Sequence, residues 1–519
     1  MKRILTAILL FGYALNSSFA ALPKKPKLIV AVIVDQFRYD YLLRFRNDYT
    51  AGFKRLLEQG AVFDDAHHIH YPTVTAVGHS TFLSGATPSL SGIVANEWYD
   101  RDMKKNVTSV SDDNTKLVGG VPGMAGSSPR RMLVSTVGDE IKMQGQQAKV
   151  IGISIKDRGA ILPAGHTADA AYWFDSDSNR WVTSSYYEEA LPSWVSEINA
   201  TNPHMKAFGA SWMPVHAKPG DKPFCTMVAG QEIRFCGSLE ATPWGNEMIE
   251  EFAERALVAE KMGHHDATDV LTVSFSSNDY VGHAVGPDAP EVRDISMRTD
   301  LLLGKFLDAI DKQVGLSNVM FVLSADHGVS PVPEVNQERH MPGGRINDTV
   351  LTNAMQKTLA GKYGPGNWVV GIVGEMPYLN HALVEKYKLN EAEVEQTAAE
   401  AVRDLPHIFR VYTATEVRLG EVSRDMVGTA ISYGFYGKRS GDLYVIQEPY
   451  YLYGATGTSH GTPFDYDSHV PVIFMGTGIK PGHYYEKVAV NDIAPTLAAI
   501  AGVEEPSGSM GRVLQEMWQ

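Results

Sequence analysis

The chain has little cysteine: only Cys225 and Cys236 occur among its 519 residues. A structural zinc site needs about four ligands, so two thiols alone are a poor basis for one. Disulfides persist in oxidising compartments, and an exported protein would favour a single bond between these two residues. We expect the pair to staple one surface loop.

Long apolar runs and excess positive charge are also missing. After the first residues, no segment offers the roughly 20 uncharged apolar residues that a membrane helix needs, so stable membrane insertion is not expected. The chain is 44% hydrophobic and 20% charged, an ordinary globular balance. Its net charge of -14 repels a polyanionic backbone, which disfavours nucleic acid as an extended partner.

The first twenty residues, MKRILTAILLFGYALNSSFA, have the features of a secretory signal peptide. A basic start is followed by a short apolar run and by a small-x-small ending before a predicted cut after Ala20. The apolar run is short for a bilayer span, which makes an uncleaved anchor the weaker alternative. Residues 21–519 are therefore predicted to form a mature periplasmic or secreted protein.

Five continuous apolar runs indicate buried strands. They are LIVAVIV (28–34), KVIGISI (149–155), VLTVSF (270–275), VMFVLS (319–324) and VPVIFMG (470–476). Strands buried on both faces are continuous rather than alternating, and helical patterns such as EMIEEFAERALVAEKMG lie between them. The pattern predicts an α/β fold with a mainly parallel central sheet flanked by helices. Two regions differ in character and are interpreted as insertions, a loop-rich one at about 170–245 and a small α+β subdomain at about 335–450.

Polar groups follow four of these runs. Asp35 follows the first and Lys156 the second, while Asp279 comes soon after the third and Asp326 with His327 after the fourth. Ligands bind outside the carboxyl ends of the strands in open α/β sheets, so these residues should meet in one site.

Three aspartates and three histidines form the candidate metal-ligand set: Asp35, Asp279, His283, Asp326, His327 and His460. This mixture of oxygen and nitrogen ligands suits zinc and also manganese or iron. Six ligands suffice for two ions at about three each, with positions left for substrate. The separate cluster HHIH, at His67, His68 and His70, favours structural roles, although it could bind metal on its own.

Two further segments offer catalytic groups. In HYPTVTAVGHSTFLSG, Thr73 and Thr75 would face the same way on an extended chain. Side-chain chemistry alone therefore does not decide which of the two is the nucleophile. A short helix ending at Gly85 would make Thr75 the N-cap, with the N–H groups of Ala76 and Val77 free for a phosphoryl oxygen. In KDRG, a continued strand would place Lys156 and Arg158 on one face as an oxyanion clamp.

These pieces resemble the alkaline phosphatase superfamily. Within it, the chain is similar to the exported zinc-dependent alkaline phosphatases of the phosphate-irrepressible type, with type I phosphodiesterase/nucleotide pyrophosphatase-like sequences and a threonine nucleophile. The resemblance runs from about residue 27 to about 505. Its motifs are VIVDQFRYDYL, PTVTAVGHSTFLSGATPSLSGIVANEW, ISIKDRGAILPAGH, NDYVGHAVGP, LSADHG and GTSHGTPFDYDSHVPVIFMG.

The resemblance implies two zinc ions and a role for each site residue. One zinc would be held by Asp279, His283 and His460, and the other by Asp35, Asp326 and His327 with the nucleophile. The nucleophile would be Thr75, four positions before His79. The phosphoryl oxygens would contact Asn96, Lys156 and Arg158.

The implied activity is hydrolysis of small-molecule phosphate monoesters through a phosphothreonine. A phosphodiesterase or nucleotide pyrophosphatase with the same ligands is the nearest alternative. A sulfatase is disfavoured because neither cysteine lies near a metal motif, and a noncatalytic metal or phosphate-binding protein would not need Thr75. The sequence leaves monomer or homodimer, and the physiological ester, undetermined.

Overall fold

The computed structural model describes residues 23–145, 147–228, 236–374 and 376–518. The signal peptide predicted for residues 1–20 lies outside this part of the chain. Within the described residues, no helix combines the length and the apolar character needed to cross a bilayer.

An eleven-stranded sheet forms the centre of the molecule. In chain order its strands are β1 (Leu28–Val34), β2 (Ala61–Phe63), β3 (Ser111–Val118), β4 (Ala125–Ser127), β5 (Val150–Ser154), β6 (Ala170–Asp175), β7 (Arg180–Ser184), β8 (Asp269–Phe275), β9 (Val319–Ser324), β10 (Val472–Gly476) and β11 (Gly482–Tyr484). Across the sheet the order is β11-β2-β10-β9-β1-β8-β5-β6-β7-β3-β4. All five predicted strands are therefore present.

The middle of the sheet is parallel and its margins are mostly antiparallel. Strands β9, β1, β8, β5 and β6 run parallel to one another. Strand β10 is antiparallel to β9, and β7 is antiparallel to β6. In the register, Ile33 of β1 stands beside Ser274 of β8 and Ser324 of β9. The carboxyl ends of the parallel strands are thus aligned, which brings the residues after them to one edge. The α/β prediction is confirmed.

Helices cover the sheet and bury its continuous apolar strands. Every residue of β1, β5, β8 and β9 is buried, as expected for strands packed on both faces. The helices of this core are Tyr39–Arg44, Gly52–Gln59, Thr75–Ser84, Pro88–Ser91, Val137–Met143, Asp157–Ala164, Ser193–Ala200, Pro243–Ala259, Ser277–Val285, Pro290–Gln313, Asp465–Ser468 and Ile493–Ala501. Short 3-10 turns occur at Pro129–Arg131, Pro203–Ala207, Leu316–Asn318, Val490–Asp492 and Gln515–Met517.

The region at about 170–245 differs in part from the expected loop-rich insertion. Its first residues form β6 and β7, an antiparallel pair in the central sheet. The aromatic residues of AAYWFD and RWVTS fit a pleated, packed surface, which explains why these segments form strands. The described residues that follow contain the helix Ser193–Ala200, the 3-10 turn Pro203–Ala207 and one short strand pair, Ser211–Trp212 with Cys225–Thr226, separated by irregular chain. Cys225 and Cys236 form a disulfide, as the sequence favoured.

Residues 333–453 contain helices and small two-stranded sheets, apart from the central sheet. The helices are Pro333–Glu338, Val350–Tyr363, His381–Lys386, Glu391–Arg403, Ala414–Leu419 and Met426–Gly434. The strands are Gly344–Ile346, Val369–Val373, Met376–Leu379, Ile408–Thr413, Leu443–Gln447 and Tyr451–Tyr453. Much of this region packs around its own apolar cluster, which includes Met355, Trp368 and Val402. The insertion bounds of about 335–450 stay a prediction.

Two further short strand pairs lie outside residues 333–453. They are Glu97–Asp100 with Lys105–Thr108, and Ala66–His67 with Val488–Ala489.

Candidate active site

Thr75 is the first residue of the helix Thr75–Ser84, not its N-cap. Val74 takes the N-cap position with extended backbone, and Gly85 ends the helix in the left-handed region at φ 65°. The predicted N-cap was thus one residue too late, because Thr75 already has helical geometry. The predicted end of the helix at Gly85 is confirmed. Ala76 was expected to have a free N–H group, but that group donates to Asn96 Oδ1 at 2.8 Å.

The hydroxyls of Thr73 and Thr75 have different environments. Thr73 Oγ1 donates to the carbonyl of Thr462 at 2.7 Å, so its proton is already used in that hydrogen bond. Thr75 Oγ1 lies 3.4 Å from Nε2 of His327, one of the predicted ligands. Thr75 is also only 2% exposed. Of the two hydroxyls, that of Thr75 is therefore the one beside the predicted metal ligands.

Asp279, His283 and His460 form the first cluster. Nε2 of His283 lies 3.2 Å from Asp279 Oδ1, and Nε2 of His460 lies 3.7 Å from the same oxygen. Asp279 and His283 are on one helix, four residues apart, so their side chains lie on the same face. His460 comes from a distant loop, which only the fold brings to this helix.

Asp35, Asp326 and His327 form the neighbouring cluster. Nε2 of His327 lies 3.5 Å from Asp35 Oδ1 and 3.4 Å from Asp326 Oδ2. Both carboxylates are fully buried, and these two oxygens have no hydrogen-bond partner. Asp279 also lies within ligand range of Asp35 and His327, so it connects the two clusters.

The three histidines share one hydrogen-bonding arrangement. Nδ1 of each lies 2.8–2.9 Å from a backbone carbonyl, that of Thr458 for His283, Gly328 for His327 and Thr73 for His460. A ring nitrogen must carry a proton to donate to a carbonyl, which leaves Nε2 with its lone pair. Such outer hydrogen bonds orient histidines that bind metal.

Burial disfavours the ionised carboxylates of the site, and nearby positive charge stabilises them. Burial and the nearby charge of Asp326 raise the pKa of Asp35 well above its ordinary value. Burial likewise raises the pKa of Asp326 to about 6. Burial acts in the same direction on Asp279, but Lys156, His283 and His460 outweigh it and hold its pKa well below the ordinary range. A site of this kind is stabilised by cations.

Lys156 lies between the clusters. Its Nζ donates to Asp35 Oδ2 and to Asp279 Oδ2, both at 2.6 Å. The expectation that the strand continues through KDRG is wrong, because β5 ends at Ser154 and Lys156 is the N-cap of the helix Asp157–Ala164. Lys156 therefore links one carboxylate of each cluster.

Arg158 follows Lys156 within the first turn of that helix. Its Nε is buried without a hydrogen-bond partner, which leaves part of the guanidinium available to a ligand. Burial lowers the pKa of His79 to about 4, and the charges of Lys156 and Arg158 act in the same direction. Both cations are therefore close to the helix that carries Thr75.

Asn96 lies beside the start of the helix Thr75–Ser84. Because its Oδ1 accepts the N–H of Ala76, its amide orientation is fixed and the NH2 group remains as a donor. The structure thus joins Asn96 to the residue directly after Thr75. This contact was not foreseen from the sequence.

Two other residues were missed as supports of the site. The Gln36 amide donates to Asp279 Oδ1 at 2.7 Å, and its backbone N–H donates to Asp326 Oδ1 at 3.1 Å. His79 Nδ1 bonds to the carbonyl of Thr75 at 2.9 Å and also lies 3.1 Å from Asp326 Oδ2, without a hydrogen bond to it. The position of Gln36 directly after Asp35 was the available signal, but its partners lie far along the chain.

The described donors fit a pair of divalent ions. Orphaned carboxylate oxygens, three imidazoles with free Nε2 atoms and the adjacent Thr75 hydroxyl make a set of oxygen and nitrogen ligands that suits zinc. The residues present are therefore consistent with the metal sites expected for this fold.

Gly78 provides a test of how closely the helix Thr75–Ser84 must approach the loop that carries Asp326. A Cβ at Gly78 would stand 2.2 Å from the carbonyl oxygen of Asp326. We expect Gly78→Ala to lower the free energy of unfolding by about 1–3 kcal/mol and to reduce activity, because the helix must move away. Denaturant unfolding and an ester hydrolysis assay measure the two effects.

Gly361 is the matched control, since it is also inside a helix but a Cβ there has no atom within 4 Å. Gly361→Ala should stabilise the protein by about 0.5–1 kcal/mol through the better helix propensity of alanine. Equal effects of the two substitutions would contradict the close-packing explanation.

Comparison with known proteins agrees with this geometry. A model of the family described as Type I phosphodiesterase / nucleotide pyrophosphatase matches residues 29–468. The chain is 33% identical to alkaline phosphatase PafA of Elizabethkingia meningoseptica, with 99% of both chains covered. It is 34% identical to alkaline phosphatase PhoV of Synechococcus elongatus, with 96% of this chain and 94% of the relative covered.

A solved structure of the same PafA enzyme has a TM-score of 0.89 against this chain at 32% identity. The match covers 96% of this chain and 100% of that one. The predicted family resemblance is confirmed over almost the whole length. The chain belongs to the type I phosphodiesterase / nucleotide pyrophosphatase family and is a metal-dependent phosphoric ester hydrolase.

Proposed function

We propose that the protein is an alkaline phosphatase that hydrolyses phosphate monoesters through a phosphothreonine on Thr75 at a two-zinc site. The observation that carries the proposal is the position of Lys156, whose ammonium contacts one carboxylate of each cluster beside the nucleophile helix. The full-length similarity to PafA and PhoV, both named alkaline phosphatases, supports the same activity.

In the first step, Thr75 Oγ attacks the phosphorus of the ester. A new threonine–phosphorus bond forms, the bond from phosphorus to the ester oxygen breaks, and the threonine proton passes to solvent. The departing alcohol oxygen takes up a proton. When bound, zinc ions at the two clusters would lower the pKa of the attacking hydroxyl or water and neutralise developing charge on oxygen.

Cationic and amide donors hold the transferring group. A phosphate monoester group carries up to two negative charges, which need positive charge around its outer oxygens. Lys156 and Arg158 supply that charge, and the Asn96 NH2 group supplies a neutral hydrogen bond. Because Ala76 fixes the Asn96 amide, this donor is already oriented before substrate binds.

In the second step, water attacks the phosphorus of phosphothreonine. The threonine–phosphorus bond breaks, inorganic phosphate leaves, and Thr75 recovers its proton. The same Lys156, Arg158 and Asn96 donors hold the phosphoryl oxygens in both steps, since the group stays in place while the attacking oxygen changes.

We also propose that the enzyme acts outside the cytoplasm, in the periplasm or as a secreted protein. The signal-like first twenty residues and the paired Cys225 and Cys236 support export. Its expected partners are small phosphate monoesters, consistent with the burial of Thr75 and Lys156.

Phosphodiester or pyrophosphate hydrolysis is the second candidate, because the family description names both activities. A diester carries a second organic group on phosphorus in place of a charged oxygen. Cations placed at the outer oxygens favour the more highly charged monoester over such a substrate. The two candidates therefore differ in charge at the position that Lys156 and Arg158 occupy.

A paired assay tests the proposal. The zinc-loaded protein should hydrolyse p-nitrophenyl phosphate with a kcat/KM at least about 100-fold above that for bis-p-nitrophenyl phosphate, since a lost charge contact to a cation is worth a few kcal/mol. Activity should disappear on chelation and return with zinc. Equal or faster turnover of the diester would overturn the monoesterase assignment.

Lysine substitution sharpens the assay. Lys156→Met removes the charge while it keeps much of the side-chain length, so the monoester should lose more kcat/KM than the diester. A matched control is Lys149→Met, which removes an ion pair with Glu260 at the opposite end of β5. Lys149→Met should leave the ratio of the two activities unchanged.

A further inference from the structure

We propose a third metal site, separate from the catalytic clusters, at which Asp65, His67 and His469 bind a zinc-class divalent ion. The ligand atoms of these three residues lie within 4.8 Å of one another. None of the three belongs to either catalytic cluster. The site therefore represents a binding function additional to the proposed catalytic one.

The structure separates His67 from the other two histidines of HHIH. His68 is buried with Nε2 at 3.0 Å from the carbonyl of Ala325, and His70 is also buried. His67 instead lies beside Asp65, with Nε2 at 2.7 Å from Asp65 Oδ1. The side chain of Asp65 is 45% exposed, so an ion has access from solvent.

His469 has the hydrogen bond expected of an oriented ligand. Its Nε2 lies 2.9 Å from the carbonyl of Asp64, which requires a proton on that nitrogen. Nδ1 then keeps its lone pair. The ring stacks face to face on that of His67, with centroids 4.5 Å apart. A backbone carbonyl also orients His283, His327 and His460, but there it faces Nδ1 and leaves Nε2 with the lone pair.

The ligand chemistry selects the class of ion. Two imidazoles and a carboxylate suit zinc and the neighbouring borderline transition metals, whereas calcium and magnesium prefer oxygen ligands only. Zinc commonly binds three or four such ligands.

An ion here would cross-link two chain segments that lead to the catalytic site. His67 and His469 form an antiparallel bridge, and His68 N–H donates to the carbonyl of Ser468. Beyond this pairing, Asp467 accepts from the backbone and hydroxyl of Thr462. Thr462 in turn accepts the Thr73 hydroxyl, and the carbonyl of Thr73 accepts from His460. The site would thus stabilise the segments that position Thr75 and His460.

The test compares zinc content among purified, zinc-loaded variants after dialysis against metal-free buffer. Asp65→Ala and His469→Gln should each bind about one zinc ion per chain fewer than the wild type, as expected when a three-ligand site loses a ligand. Asp65→Ala alters an exposed side chain, so it should fold even if His469→Gln does not. The difference from wild type does not depend on how many ions the catalytic site holds.

His483→Gln is the matched control, because His483 pairs with Asp64 next to the site but is not among its ligands. It should keep the zinc content of the wild type. Added zinc should also raise the melting temperature of wild type and His483→Gln more than that of Asp65→Ala. Equal zinc content in wild type, Asp65→Ala and folded His469→Gln would overturn the third site, whatever the esterase assays show.

Discussion

Thr75→Ala is expected to lower kcat/KM for a phosphate monoester by at least about 1000-fold and to abolish the phosphoenzyme, as loss of a nucleophile does in enzymes that form a covalent intermediate. The physical reason is the location of the hydroxyl, 3.4 Å from the ring of His327 and next to the buried carboxylates. Acid quench after incubation with a phosphorus-labelled monoester measures phosphothreonine directly.

Thr73→Val is the control for this experiment. The substitution removes the other candidate hydroxyl with little change of shape and costs about 1 kcal/mol through the lost hydrogen bond to Thr462. Phosphoenzyme should still form on Thr75. A labelled enzyme in Thr75→Ala and an unlabelled one in Thr73→Val would make Thr73 the nucleophile.

Asp279→Asn is expected to have the second large effect, because Asp279 belongs to both groups of potential ligands at the catalytic site. The amide cannot supply the negative charge that Lys156 contacts at this position and that the proposed ions would need there. Zinc content should fall by at least one ion per chain, and monoester kcat/KM should fall by at least about 100-fold, as changes at metal ligands do. Elemental analysis and steady-state kinetics measure these outcomes.

Asp288→Asn separates this effect from a general loss of negative charge. Asp288 forms surface ion pairs with Arg44 and Arg339, and such pairs contribute about 0–1 kcal/mol. The control should retain full zinc content and activity. If Asp279→Asn kept both ions and near wild-type turnover, the shared role of this carboxylate would be wrong.

Much of the fold could be predicted because its signals are local. Continuous apolar runs are typical of strands covered on both faces, and β1, β5, β8, β9 and β10 follow the predicted runs closely. The pair β6 and β7 was missed because the aromatic and polar residues of this region were interpreted as loop, although AAYWF is itself a buried apolar run. Whether an aromatic-rich segment joins a sheet or stays a loop depends on the neighbours that cover it.

The proximity of several candidate site residues was predictable for a related reason. Parallel strands align at their carboxyl ends, so Asp35, Lys156 and Asp326 had to emerge near one another once the strands were known. Which hydroxyl faces them was not predictable from composition. The Thr73 hydroxyl donates to the carbonyl of Thr462, a residue of a distant loop, and no local sequence pattern indicates that hydrogen bond.

The sequence by itself determined the α/β class, the strand ends at which the candidate site residues meet, and the kinds of ligand available there. Only the tertiary structure decided that Lys156 contacts both clusters, that Gln36 supports Asp279 and Asp326, and that His67 meets His469. The physical reason is the separation along the chain over which each interaction acts. Hydrophobic periodicity acts between near neighbours in the chain, whereas hydrogen bonds and metal-ligand sets join residues whose proximity depends on how the loops pack.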